Sequence, residues 1–400
     1  MKSFEEIRVD SLAVCQLLYT GRELRSSNVK WSSSTFTRWI GGRRTPSNQT
    51  ISYDTLRPTP EWVKQMESTS AMMACGMREA AKYLGVDDVH ISVGIEDRRR
   101  RYCNTESTRC DHDESWYDIM CSNEQRNEFV TDGTGNAQEV LALLLSCLTE
   151  LDQRKRDSEI VHEIPNTCKS LVLAPTVAAV LFHELVGHGI EECGEELLGR
   201  RIGPPSLNVA AANPKRRCHD DEGIEPRRTE FVKEGVVVAG VADRESAPVK
   251  RIAPTGTARS ASHGKGAKAR CTYLEIGEGP IASKHLNEVV EQGLWCTGVL
   301  GAHFSGGVAN VQVSEARIIE SGRIGKRVGR FRFSASLSSL ASKLTVICND
   351  AQRGRAARCT KHSESVPTVN TAPTVLLQDV PIISDSCSSC LRRRSYPTLP

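Results

Sequence analysis

The chain has 400 residues, enough for one large or two ordinary domains with ample core. Lys and Arg number 52 against 49 Asp and Glu, and a net +3 is too small to point to nucleic acid or a membrane surface as partner. No run of about 18 apolar residues occurs, and residues 1–22 place Glu5, Glu6 and Asp10 before a short apolar patch, unlike a signal peptide.

Residues 1–60 carry little periodicity: 26–34 and 41–52 are mostly polar, and Gly42-Arg43-Arg44 reads as a solvated turn. Residues 61–84 bring Trp62, Met66, Met72, Met73, Met77, Ala80 and Ala81 round at helical spacing, a core stripe and not a cofactor box. Residues 89–95 alternate as a strand, and the four arginines 98–101 are expected at a solvated strand end or loop. A turn over 102–108 and a strand around 116–121 follow, and Cys110, His112 and Cys121 fit no metal-finger spacing. Residues 137–151 form an amphipathic helix with Val140, Leu141, Leu144, Leu145, Leu148 and Leu151 on one side. The charged stretch 152–159 reads as a linker, which bounds a first domain at 1–155 and a second at 156–383.

The second half opens with a strand at 170–173 and Pro175 at a helix start. Beyond that helix the composition turns to β. A hairpin over 230–241 turns at Gly235, and a second, over 308–319 and 325–333, turns at Glu320-Ser321-Gly322. A short helix covers 283–292, strands at 344–348 and 375–383 close the domain, and the tail from 384, with Cys387-x-x-Cys390, reads as disordered. Fifteen cysteines are scattered without framework spacing, which reads as reduced thiols in a cytoplasmic protein.

The chemistry concentrates in residues 173–192, L-A-P-T-V-A-A-V-L-F-H-E-L-V-G-H-G-I-E-E. Two imidazoles and a carboxylate this close are what a metal hydrolase needs: the imidazoles hold Zn²⁺, and the carboxylate of Glu184 takes a proton from activated water. His183 and His188 are separated by five positions, not the four of H-E-x-x-H, and diverge by about 140° on a regular helix. A π-bulge would return them to one side, and Gly187 and Gly189 would make that distortion tolerable. A lone histidine on such an apolar run would read as core; the H-E-x-x-x-H pattern favours a metal. The helix supplies two ligands where a zinc hydrolase usually has three. Spacing leaves the third open among Glu191, Glu192, Glu195, His219, Asp220, Asp221 and the cysteines.

The 173–191 stretch resembles the signature of the TldD branch of the TldD/TldE (PmbA) family of metalloproteases. Further resemblances follow in the family's order: Asn104-Thr105-Glu106-Ser107, Asp220-Asp221-Glu222-Gly223, Pro254-Thr255-Gly256 and Arg270-x-Thr272-Tyr273. Gly306-Gly307, Ser314-Glu315-Ala316, Glu320 to Ile324, Asn349-Asp350, Cys359-x-Lys361 and Ser365-Val366-Pro367 continue it. The resemblance implies His183, His188 and Cys359 as zinc ligands, with Glu184 as general base. Arg270 is a candidate for binding a peptide carbonyl or carboxylate, a plain surface arginine being the alternative. It implies an α+β architecture, an N-terminal α/β domain followed by a C-terminal domain of antiparallel sheets, with the metal site on a distorted helix. Implied too are unfolded peptides or leader segments as substrates, bound as added strands, and a homodimer or a heterodimer with a TldE-like paralogue. The alternatives are an amide hydrolase acting on a small peptide-derived metabolite, or a non-catalytic peptide-binding partner subunit.

Overall fold

The computed structural model describes residues 4–20, 23–40, 43–46, 60–84, 89–104, 109–123, 128–133, 140–142, 144–146, 148–149, 160–161, 164–165, 168–211, 217–260, 266–354, 357–361 and 364–384. The expected linker 152–159, the tail beyond 384, and Gly41, Gly42 and residues 105–108 lie outside these.

The architecture is α+β. Six antiparallel strands make the N-terminal sheet: β1 (Phe4–Thr20), β2 (Glu23–Ile40), β3 (Arg43–Pro46), β4 (Val89–Asn104), β5 (Arg109–Asn123) and β6 (Glu128–Gly133), in the order β3-β2-β1-β4-β5-β6. The helix α1 (Pro60–Leu84) matches the expected span. Its Met66, Met73 and Met77, with Val140, Leu144 and Leu148 of the next helical stretch, cover Ile91, Val93 and Ile95 of β4. Alternate residues of a strand share a face, so these three point together into the core.

In this half one unpatterned stretch proves to be a strand and one expectation is corrected. The polar stretch 26–34, with little periodicity of its own, is part of β2, aligned with β1 along its whole length, with Trp31 opposite Leu12 and Phe36 opposite Ile7. Cross-strand pairing at long range sustains such a strand where local periodicity is weak. The arginine run 98–101 lies within β4 rather than at its end, and Arg100 is buried.

The C-terminal half holds a nine-stranded sheet and a second six-stranded one. In the larger sheet Ser170–Leu173 lies between Val375–Leu377, antiparallel, and Gln292–Ser305, parallel. Gln292–Ser305 then pairs with Val308–Glu320, which turns at Ser321-Gly322 into Arg323–Val328, while Phe331–Ser336 continues along the other end of Val308–Glu320. The smaller sheet runs through Thr229–Lys233, Val209–Ala211, Leu274–Ile276 and Thr371–Ala372. Between the two sheets lies the largest apolar cluster, from Leu171 and Phe182 to Phe231 and Phe333.

The turn at 220–223 docks the C-terminal half on β4. Arg100 pairs with Asp221 and donates to the carbonyl of Ser260, and Tyr102 packs so closely on Gly223 (φ +73°) that any side chain there would run into its ring. No described helix is long and apolar enough to cross a membrane.

Candidate metal centre

Strand Ser170–Leu173 leads through Ala174 into a helix with Pro175 in its first turn, where a missing N–H loses no bond. Pro175–Phe182 buries Val177, Ala178, Ala179, Leu181 and Phe182. A helix apolar nearly all round is one covered on several sides, and this one packs on strands of both sheets.

At His183 the helix widens. His183–Gly187 forms a π turn, and the N–H of His188 donates to the carbonyl of His183. A hydrogen bond spanning five residues brings i and i+5 to one side, so the two rings stand edge to face with centroids 5.0 Å apart. The α-helix resumes over His188–Leu197 and kinks at Cys193. The glycines serve a different purpose from the one expected. Gly187 has φ −59° and ψ −59°, ordinary helical values open to any residue. A Cβ on it would stand 3.2 Å from Leu274 Cδ1 and 3.3 Å from Cys271 Cβ, and one on Gly189 only 2.6 Å from Leu337 Cδ1. Close packing around them, not backbone freedom, is what sets these two positions apart.

Cys359 arrives on a two-stranded ribbon, Ala357–Lys361 paired with Glu364–Thr368. Cys359 and Lys361 share the face turned to the helix. The Cys359 Sγ lies 3.4 Å from His188 Nε2, and Lys361 Nζ donates to Glu191 Oε2 at 3.0 Å. Arg358, between them, reaches the other way to Glu96 of β4 at 2.9 Å. The ligating atoms of His183, His188 and Cys359 all fall within 4.8 Å of one another, and the three residues are buried. Neither ring nitrogen of His183 has a hydrogen-bond partner. Buried polar atoms without partners are costly, and a metal ion would satisfy them. Two imidazoles and a thiolate are a zinc donor set, so the residues present fit that ion.

The electrostatics of the cluster point the same way. Burial alone would raise the Cys359 thiol, but the imidazoles of His183 and His188 outweigh it and hold it down at about 6. Burial opposes charge on His188 too, yet the Cys359 sulfur and the Glu191 carboxylate lift it to about 10. Glu191 is lowered to about 2 against its own burial, chiefly by His188, with help from Lys361 and the Cys271 amide. Its Oε2 lies 2.8 Å from His188 Nδ1, and its Oε1 accepts the Cys271 N–H at 2.6 Å. A carboxylate on the far nitrogen of a ligand histidine fixes the ring and its tautomer. Glu191, open as a third ligand in the sequence, is thus a partner of His188 instead: it stands within the helix, one turn after His188 on the same face.

Glu184 Oε2 lies 3.8 Å from His188 Nε2, and its side chain keeps 12% of its surface in water. Arg270, for which a surface position was the alternative, is buried and donates from Nη2 to Sγ of Cys359 at 3.0 Å and to its carbonyl at 3.1 Å. Asp220 and Asp221, open as third ligands in the sequence, are occupied elsewhere. Asp220 accepts the amides of Glu222, Ile224 and Ala258, and Asp221 pairs with Arg100 and Arg217 and accepts the Ser260 amide. Phe304, from the tip of the long hairpin, stands with its ring 6.2 Å from that of His188; no sequence signal singled it out.

Residues 166–384 match the family model described as the PmbA/TldA metallopeptidase C-terminal domain. A metalloprotease of Synechocystis is 27% identical over 231 residues, covering 54% of this chain and 50% of the relative. A zinc metalloprotease TldD homolog of Saccharolobus solfataricus is 24% identical over 228 residues, 53% of this chain and 51% of the relative. The matched stretch thus spans about half the length of these curated relatives. The crystal structure of TldE from Thermococcus kodakarensis superposes with a TM-score of 0.69 at 14% identity, over 95% of this chain and 96% of that one. The fold is thus shared along nearly the whole chain, and by the match over 166–384 the chain belongs to the PmbA/TldD metallopeptidase family.

Proposed function

We propose that the chain is a zinc-dependent metallopeptidase that hydrolyses peptide bonds of unfolded peptides, leader segments among them. The observation that carries this reading is the convergence of His183, His188 and Cys359, with the partnerless nitrogens of His183 turned into a buried cluster. Zinc held by these three residues would supply Lewis acidity, which acidifies water and polarises a scissile carbonyl. Glu184, next to the cluster and partly in water, takes the proton of the attacking water and delivers it to the leaving amine. Glu191 and Lys361 keep His188 in one orientation, and Arg270 holds the Cys359 sulfur in place.

One relative is a zinc metalloprotease TldD homolog and a neighbour in fold is TldE, which supports the metal and a paired assembly. We extend them to this chain as a homodimer, or a heterodimer with a TldE-like paralogue, working in the cytoplasm. The test is metal content and peptide cleavage for the purified chain, Cys359→Ala and Glu184→Ala. One zinc per chain, lost in Cys359→Ala and kept in Glu184→Ala while cleavage disappears in both, is the expected result. A wild-type chain without metal overturns it; a zinc-bound wild type that cleaves only after a TldE-like partner is added fixes the heterodimer.

A further inference from the structure

A small cavity of about 20 Å³ shares Arg270 with the metal cluster and is also lined by Arg217, Arg259, Asp220, Thr257 and Tyr273. Arg259 and Arg270 are 6% and 5% exposed. Arg259 donates from Nε to Thr272 Oγ1 at 3.2 Å, and its guanidinium stands 5.1 Å from the centre of the Tyr273 ring. Arg270 is tied to Cys359 through Nη2. That leaves Nη1 of Arg259 and Nε of Arg270 buried without hydrogen-bond partners.

The charge around this space does not balance. Arg217 is paired with Asp221, which Arg100 shares. The cavity lining holds one carboxylate, Asp220, and three backbone amides already occupy its oxygens. Arg270 faces the Cys359 sulfur, so the guanidinium left without a counter-charge among the described residues is that of Arg259. Such burial is strongly unfavourable, and a planar pair of oxygens is what its fork of donors matches. Space of about 20 Å³ is a little more than one water needs, so only a small polar head such as a carboxylate enters it.

We propose that this cavity binds a carboxylate, held by Arg259 and Arg270. The group comes either from the C-terminus of a peptide or from a free small carboxylate. The first source rests on the peptidase reading and makes the substrates peptides recognised by their C-terminal end; the second does not depend on it.

The test measures binding on the metal-free full chain, so that failure to cleave peptides cannot be mistaken for failure of this site. A labelled short peptide is titrated as the free acid and as the C-terminal amide, and thermal unfolding is followed in acetate against fluoride at equal ionic strength. Tighter binding of the acid by about tenfold or more, lost in Arg259→Gln, assigns the site to peptide C-termini. Equal binding of acid and amide, with acetate raising the Tm of the wild type but not of Arg259→Gln, assigns it to a free carboxylate. Arg259→Lys, which keeps the charge and loses the fork, serves if the Gln variant does not fold, and is expected to weaken the same response. If neither peptide form nor acetate distinguishes the wild type from these variants, the cavity holds water only and the proposal falls.

Discussion

The candidate centre is assembled from two halves of different kinds. His183, Glu184, His188 and Glu191 belong to one continuous helical segment, where a single π turn sets the angle between the rings. Cys359 and Lys361 come from a narrow ribbon whose place is set from outside: by Arg270 on the sulfur, by Glu191 on the lysine, and by Glu96 of the N-terminal sheet on Arg358. A helix buried between two sheets tolerates loss of a functional side chain without moving, whereas a two-stranded ribbon is only as well placed as its tethers. Chemistry and geometry are therefore expected to fail separately when the two halves are altered.

The helix half gives the largest expected effect. Glu184→Ala should lower peptide cleavage by about 10²- to 10⁴-fold with zinc content and unfolding midpoint unchanged; loss of zinc in this variant would show that the carboxylate is structural. Glu191→Gln removes the charge that orients His188 and should weaken zinc affinity by about 10- to 100-fold in a chelator competition. An unchanged affinity would mean that the ring is held by packing alone.

Protons report on both halves together. In the metal-free chain His188, lifted to about 10, carries a proton at neutral pH, while Cys359, held at about 6, has lost its own. Zinc uptake at pH 7 should thus release about one proton, read by calorimetry in two buffers of different ionisation enthalpy. As the pH falls through about 6 the thiolate takes up a proton, so zinc affinity should drop steeply there. A slope that does not steepen below pH 6, beyond the one proton that His188 already loses, would argue that Cys359 is not a ligand.

The smallest effect belongs to the outermost tether. Arg358→Ala breaks a partly exposed ion pair with Glu96 and should cost at most about 1 kcal/mol in denaturant unfolding. Any loss of zinc affinity in it beyond that of Glu191→Gln would mean that the ribbon depends on the N-terminal sheet more than on the helix.

Legibility in the sequence follows the range of the interactions. The helix over Pro60–Leu84, the strand Ser170–Leu173, the opening at Pro175 and the turn at Ser321-Gly322 were readable, because each is set by neighbours a few positions away. The strand character of 26–34 was not readable, since it comes from pairing with β1. Nor was the burial of Arg100, whose partner Asp221 lies 121 positions on, a separation no periodicity can record. The role of Glu191 was half visible: its three-residue offset from His188 is a helix-face spacing, but Lys361 and the Cys271 amide, which hold it, come from distant strands.

By itself the sequence determined the two histidines, the carboxylate between them and the five-residue offset that calls for a π turn, because a helix carries its side chains at angles set by spacing alone. Family resemblance, not spacing, singled out Cys359. Only the tertiary structure decided that its sulfur, 171 positions from His188, faces that ring, that Gly187 and Gly189 answer to Leu274 and Leu337, and that Arg259 and Arg270 share a cavity. Those arrangements arise where separate sheets and a ribbon close on one helix, and closure is a property of the packed chain as a whole.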